Sequence, residues 1–167
     1  LSRGLDIRWH CIANPCSLSK GLLQLMKKAG CTGFTLGIES GSRQMLRNLG
    51  KNFTVEQISQ FCLYCRELGI NYYCSLLLGG PGENRQTIDE TVSLMKKINP
   101  NSLGITIGIR VYANTRLAQI ARDEGIPDAQ GDLLSPTFYL SPEIKDWVFD
   151  YIKEIGERNG WRLPTLS

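Results

Sequence analysis

One histidine, His10, is all that the 167-residue chain contains. A Ser/His/Asp relay therefore has one candidate imidazole and no convincing order of partners around it. No apolar run approaches the about 18 residues that a spanning helix needs. No secretory signal opens the chain either, which begins Leu1-Ser2-Arg3 without a methionine. Such a start is expected of a processed chain or an excised piece, and the expected compartment is the cytosol. No Gly-x-Gly-x-x-Gly follows a strand and no Walker loop is present, so the usual dinucleotide and phosphate cradles are missing. Charge of one sign is also scarce. The 19 Lys and Arg against 16 Asp and Glu leave a net +3, too little to argue for nucleic acid or a membrane surface.

What is present suits one ordinary globular domain: 42% hydrophobic and 21% charged residues. The six cysteines are scattered and do not form a disulfide framework in a chain this long. Cys62 and Cys65 fall on the apolar face of a helical pattern with Ile58, Phe61 and Leu68, as small core residues would. Cys11 and Cys16 flank a strand end, but no second pair sits at a zinc-site spacing.

Strand and helix patterns alternate along the chain. Leu5 to Ile12 reads as a strand. Ser17 to Ala29 reads as a helix, with Leu18, Leu22, Leu25, Met26 and Ala29 on one face and Gly30 as its stop. Gly33 to Ile38 is a second strand, followed by a short helix over Ser42 to Asn48. Thr54 opens a longer helix through a capping box with Gln57, and Gly69 ends it. Asn71 to Leu78 is the third strand, Asn84 to Ile98 a helix, and Leu103 to Val111 the fourth strand. Thr115 then caps a helix ending at Gly125. The rest is a loop containing Pro127 and Pro136, then a helix capped by Ser141-Pro142. Its stripe is Ile144, Trp147, Val148, Tyr151, Ile152 and Ile155. Residues 1–125 thus form one unit and 126–167 a C-terminal extension.

Four βα units in a row imply parallel strands with right-handed crossovers. An open doubly wound sheet buries both faces and should read as apolar throughout. Here Phe34, Leu36 and Ile38 alternate with Thr35, Gly37 and Glu39, and the other strands do likewise. That alternation favours a partial (β/α) TIM-type barrel, four units plus a C-terminal helix, with helices outside. Arg8, His10, Glu39, Ser75 and Arg110 are then expected to line a cavity.

Barrel sites lie at the C-terminal ends of strands. Three such ends stand out: Gly37-Ile38-Glu39-Ser40-Gly41-Ser42, Leu78-Gly79-Gly80-Pro81-Gly82-Glu83 and Arg110-Val111-Tyr112-Ala113-Asn114-Thr115. Their order and spacing over about Leu5 to Gly125 resemble the radical S-adenosylmethionine (SAM) superfamily. The first, with Leu46-Arg47-Asn48-Leu49-Gly50-Lys51, resembles the family's fourth-strand region. The second resembles its fifth-strand loop, and Tyr112-Ala113-Asn114-Thr115 is similar to its Tyr-Pro-Gly-Thr. Leu133 to Tyr139 resembles extensions of the cobalamin-dependent branch.

The resemblance implies an enzyme that cleaves SAM at a [4Fe-4S] cluster to give a 5′-deoxyadenosyl radical, in the cobalamin branch a methyltransferase with cobalamin on a separate upstream domain. It assigns Glu39 to the SAM ribose hydroxyls, Lys51 to the SAM carboxylate and Ser75 to the ribose. Leu77, Gly79 and Gly80 would flank the adenine, with Val111 and Tyr112 beside it. Arg8, His10 and Arg110 remain for a small-molecule substrate that the sequence does not identify. Local physics offers alternatives. Glu39 and Glu83 suit helix N-termini, Arg43 is a rival anion contact, Lys51 suits a solvated surface, and His10 suits an interior hydrogen bond. The family's Cys-x-x-x-Cys-x-x-Cys is absent, and Leu5 begins about where its third strand would. The chain alone is therefore expected to hold no cluster and to be inactive. Its bare strand edges are expected to pair, giving a dimer. The competing reading is a non-catalytic βα domain that binds a ligand or partner.

Overall fold

A computed structural model describes residues 6–126 and 136–161. The expected strand start at Leu5, Pro127 of the loop, and residues 133–135 of the tail resemblance lie outside that range. Four parallel strands stand in the order β1-β2-β3-β4: Trp9–Ala13, Cys31–Glu39, Asn71–Leu78 and Ser102–Ile107. Helices α1 (Lys20–Lys28), α3 (Val55–Leu68) and α4 (Arg85–Ile98) connect them, with the short α2 (Arg43–Asn48) before α3.

One face of the sheet is sealed. Phe34, Leu36, Ile38, Tyr72, Cys74, Leu76, Leu78, Leu103 and Ile105 are all buried beneath the helices. Phe34 meets Phe61 of α3 edge to face, with ring centroids 5.4 Å apart, worth about 0.5–1.5 kcal/mol beyond area burial. Ile58, Cys62 and Cys65 fill the same layer, as their helical spacing implies. The opposite face stays half open, as strand alternation requires of a barrel interior. The caps match the sequence well. Thr54 and Gln57 form the reciprocal box of α3, and Gly69 ends it in a left-handed conformation at φ 60°.

Three expectations change. In α1 the inward residue is Leu23, with Leu18 and Met26 packed partly beside it, while Leu22 and Leu25 are exposed. The helix starts after Ser19, not at Ser17, and its buried side centres on Leu23. The fourth strand does not run through to Val111. Gly108 adopts φ 91° and breaks it, and Ile109–Arg110 becomes a separate strand, β5. β5 pairs antiparallel with β6, Phe138–Tyr139, from the tail. Finally, Ser141 does not cap the last helix. Its hydroxyl donates to the Glu83 carbonyl at 2.7 Å and its amide to the Gly79 carbonyl at 2.9 Å.

The helix α5 (Arg116–Asp123) follows β5, and α6 (Val148–Asn159) closes the described residues. Ile144, Val148, Ile152 and Ile155 join the main core. Tyr151 donates to Asp89 of α4 at 2.5 Å, and the Arg85 guanidinium lies 3.9 Å from the Tyr151 ring centroid. The extension thus anchors on α4. Among the described residues no helix is long and apolar enough to cross a membrane.

Candidate functional site

The end of β2 is where backbone and side chain depart most from the ordinary. The β2–β3 register shifts between Gly37 and Glu39, and Glu39 takes φ 61°. A left-handed conformation costs a non-glycine residue roughly 1 kcal/mol or more and persists only where the surroundings enforce it. Two contacts do so. The Ser40 amide donates back to the Ile38 carbonyl at 2.7 Å. Lys51 Nζ reaches Glu39 Oε1 at 3.1 Å and the Gly37 carbonyl at 3.1 Å. The chain turns at Gly50, φ 67°, and brings Lys51 back over β2. Gly37 leaves room for the carboxylate, since a Cβ there would lie 3.1 Å from Glu39 Oε1. Both ends of the pair are only partly exposed, 21% for Glu39 and 25% for Lys51. The following residues are clamped to α4: the Gly41 amide donates to Thr91 Oγ1 at 2.9 Å, and Ser40 Oγ and Thr91 Oγ1 are 3.0 Å apart.

The end of β3 is a knot. Glu83 is fully buried and its Oε2 accepts from the amides of Gly79 and Gly80. The Gly80 carbonyl accepts from the Glu83 amide at 3.0 Å. A Cβ on Gly79 would meet Leu140 at 2.6 Å, and one on Gly80 would meet Ile109 and Met45 at 3.2 Å. The protein itself therefore fills the space these glycines leave. Burial pushes the Glu83 carboxyl up to about 7, against the lowering pull of the two amides. Its Oε1 is buried without a partner. The carboxylate serves the loop's own amides, not the start of α4, where Asn84 is the cap.

The end of β4 is shaped by the break at Gly108. Val111 is buried with Ala118, Ala121 and Tyr139, and its amide donates to the Thr137 carbonyl at 2.9 Å, so its side chain faces a small core. Tyr112 is exposed. Arg110 sits on β5 beyond the break, out of line with the rows of β4, and Arg8 precedes β1 at an exposed position. On the open face His10 is exposed, its Nε2 2.9 Å from Thr35 Oγ1, so the imidazole is hydrogen-bonded but not in an interior, and Ser75 and Leu77 are half-buried. The structure thus brings Glu39 and Lys51 together at β2, with Ser75 and Leu77 on the next strand. Arg43 pairs with Glu56 on the surface instead. Sequence spacing missed the Glu39–Lys51 contact, which needs the tertiary turn at Gly50, and missed Phe138, which arrives on β6. A recess of about 1130 Å³ lies elsewhere, on the helix side between α2 and α4; strand-end geometry is the better guide to chemistry here.

The cysteines do not fit an iron–sulfur cluster. Cys31, Cys62, Cys65 and Cys74 are buried in the core between helices and sheet. Burial pushes the Cys65 thiol up to about 12 and raises that of Cys31, while a hydrogen bond with Cys62, and then burial, raises that of Cys74. A thiol so raised is a poor metal ligand, because the thiolate binds. Among the described residues no group of three or more His, Cys, Asp or Glu could hold a metal ion.

A half-open parallel sheet with helices on one face and a polar cluster at its strand ends is the architecture of a partial (β/α) barrel. The family model of the radical SAM superfamily matches residues 2–95, and the chain belongs to that superfamily. An uncharacterized methyltransferase of Pyrococcus horikoshii is 30% identical over 118 residues, covering 71% of this chain and 26% of the relative. Coproporphyrinogen III oxidase (HemN) from Escherichia coli, a radical SAM enzyme, superposes with a TM-score of 0.67 at 18% identity, covering 94% of this chain and 33% of that one. The cobalamin-dependent SAM radical enzyme OxsB superposes with a TM-score of 0.66 at 17% identity, over 83% and 27% of the two chains. The chain thus spans about a quarter to a third of each. The fold is a partial radical SAM barrel, and the family's cofactors are SAM and a [4Fe-4S] cluster.

Proposed function

We propose that this chain is the SAM-cradling part of a radical SAM methyltransferase and does not cleave SAM by itself. The observation that carries the reading is Glu39. Its carboxylate is held in a left-handed bulge at a strand end, beside Lys51, and strain of this kind clusters at ligand sites. The carboxylate accepts hydrogen bonds from the ribose hydroxyls. Lys51 orients it and stays within reach of the SAM carboxylate. Ser75 and Leu77, on the next strand, flank ribose and adenine. Gly79 and Gly80 act through Leu77 and the knot, because their own polar groups are already paired.

In the family the cluster and SAM together supply a 5′-deoxyadenosyl radical. No described residues here suit the cluster, so this chain is assigned binding and orientation only. The Pyrococcus relative supports methyl transfer. The likeness to OxsB supports the cobalamin branch, with cobalamin on a separate domain.

Calorimetric titration tests the reading. SAM should bind the chain weakly, and Glu39→Ala should abolish the heat. Glu39→Gly should also abolish binding, yet melt no lower than the parent, since glycine relieves the φ 61° strain. Unchanged SAM binding in either variant would overturn the ribose role.

Among the described residues no strand pairs with the far side of β1 or of β4, and Ile12 on β1 is 81% exposed. Such edges invite pairing, so the isolated chain should elute as a dimer at micromolar concentration. A monomeric elution throughout that range would count against it.

A further inference from the structure

Thr91 lies in the middle of α4 and is buried. Its hydroxyl donates to the Thr87 carbonyl, one turn back, at 2.9 Å. A hydroxyl has one proton, so toward the loop after β2 Thr91 can only accept. It accepts twice there, from the Gly41 amide at 2.9 Å and from the Ser40 hydroxyl at 3.0 Å. Ser40 Oγ accepts in turn from the Ser42 amide at 3.1 Å. Ser40 and Ser42 are fully buried as well. Protons therefore run one way, from Ser42 through Ser40 and Thr91 to the Thr87 carbonyl. The Ser42 hydroxyl takes no part, being buried without a partner. One hydroxyl of α4 thus anchors three consecutive residues.

Glu39 stands immediately before that anchor. It is the centre of a three-residue turn at φ 61°, closed by the Ser40 amide on the Ile38 carbonyl. A positive-φ turn of this size is strained, and strain persists only where the surroundings over-determine the backbone. The entry to the turn is fixed, because β2 is paired on both sides, with β1 and with β3. Lys51 holds the carboxylate and the Gly37 carbonyl, again on the entry side. Thr91 fixes the exit. The contact is close as well as polar, since a Cβ on Gly41 would stand 2.7 Å from Thr91 Cα.

We propose that Thr91 is a positioning residue of the SAM site: its hydroxyl fixes the exit of the Glu39 turn and so keeps the carboxylate aimed at the ribose. Thr91 acts through Ser40 and Gly41 and is not itself a ligand. This deepens the reading above, and rests on it only for the identity of the ligand.

Two measurements on the same variants test it. Without ligand, the Glu39 carbon chemical shifts report its left-handed backbone, and hydrogen exchange of the Gly41 amide reports the anchor. Thr91→Val keeps the shape and loses the hydroxyl, so it should move those shifts toward strand values and speed the exchange. Thr91→Ser should restore both. In calorimetric titration Thr91→Val should weaken SAM binding roughly tenfold or more, the scale of a misplaced positioning contact, while Thr91→Ser should bind like the parent. Ser40→Ala removes the other hydroxyl and should act in the same direction; it carries the test if Thr91→Val does not fold. Val92→Ala, a cavity in the same helix, should lower the melting temperature and leave SAM affinity unchanged. Unmoved Glu39 shifts or unchanged SAM affinity in Thr91→Val would overturn the proposal. So would an equal loss of affinity in Thr91→Ser or Val92→Ala, since packing alone would then explain it. A parent chain that binds no SAM would sink the SAM reading, and the shifts and the exchange would still decide whether Thr91 holds the turn. SAM binding lost in Glu39→Ala but intact in both Thr91→Val and Ser40→Ala would sink the role of Thr91 alone.

Discussion

Unfolding free energy measured in urea should fall by about 3 kcal/mol as pH is raised from 5 to 8, and Glu83→Gln should remove most of that fall. Glu83 is fully buried, and burial raises its carboxyl from 4.5 to about 7. An acid whose pKa is higher folded than unfolded binds its proton more tightly in the folded state. Folding is then unpenalised below the unfolded value of 4.5. The penalty grows as pH rises and is complete above about 7, at about 1.4 kcal/mol per pH unit between the two values. Glutamine keeps an oxygen for the Gly79 and Gly80 amides and cannot ionise. The variant should therefore be the more stable protein at pH 8. Glu83→Ala should be worse than either, because it orphans two buried amides at roughly 1–3 kcal/mol each. Parallel pH slopes for the parent and Glu83→Gln would refute the assignment.

Gly41→Ala should cost about 1–3 kcal/mol and reduce SAM affinity with it. A Cβ on Gly41 would stand 2.7 Å from Thr91 Cα, 2.9 Å from Leu94 Cβ and 3.1 Å from the Glu90 carbonyl. These are backbone or near-backbone atoms of α4, so no side chain can swing clear. Either α4 or the loop after β2 must shift, and the Gly41 amide loses its 2.9 Å bond to Thr91. Glu39 lies two residues away and would move with the loop. Gly21→Ala is the matched control: nothing lies within 4 Å of its Cβ position, and alanine is the better helix former by about 1 kcal/mol. Equal melting temperatures for the two variants would show that the clamp on α4 is unimportant.

The period-two alternation of Phe34, Leu36 and Ile38, and of Tyr72, Cys74 and Leu76, was enough to read both faces of the sheet, and the succession of βα units its parallel order. The capping box at Thr54 was equally legible, because its chemistry is local. What failed to show in the sequence depends on groups distant along the chain. Ile105, Ile107 and Ile109 continue one alternation across Gly108, yet the strand breaks there. A glycine within a strand was the available warning. The two-residue partner β6 is too short to carry a period. Glu83 followed a turn and preceded a helix, so a helix-start role was the economical reading. Only the folded loop reveals that its carboxylate turns back to Gly79 and Gly80. Glu39 was singled out by position, but its companion Lys51 needed the turn at Gly50 to reach it.

The order β1-β2-β3-β4 is also the order of the chain. Each strand finds its neighbour already made, so the sheet can grow in step with synthesis, N-terminal end first. The ties from the tail are different. Ser141 reaches Glu83 across 58 residues and Tyr151 reaches Asp89 across 62. The first forms only after Ser141 has left the ribosome, and the second only after Tyr151 of α6 has. A nascent chain ending before Ser141 would have its sheet assembled and the Gly79–Glu83 loop still unlatched, so the strand-end site is completed after the sheet.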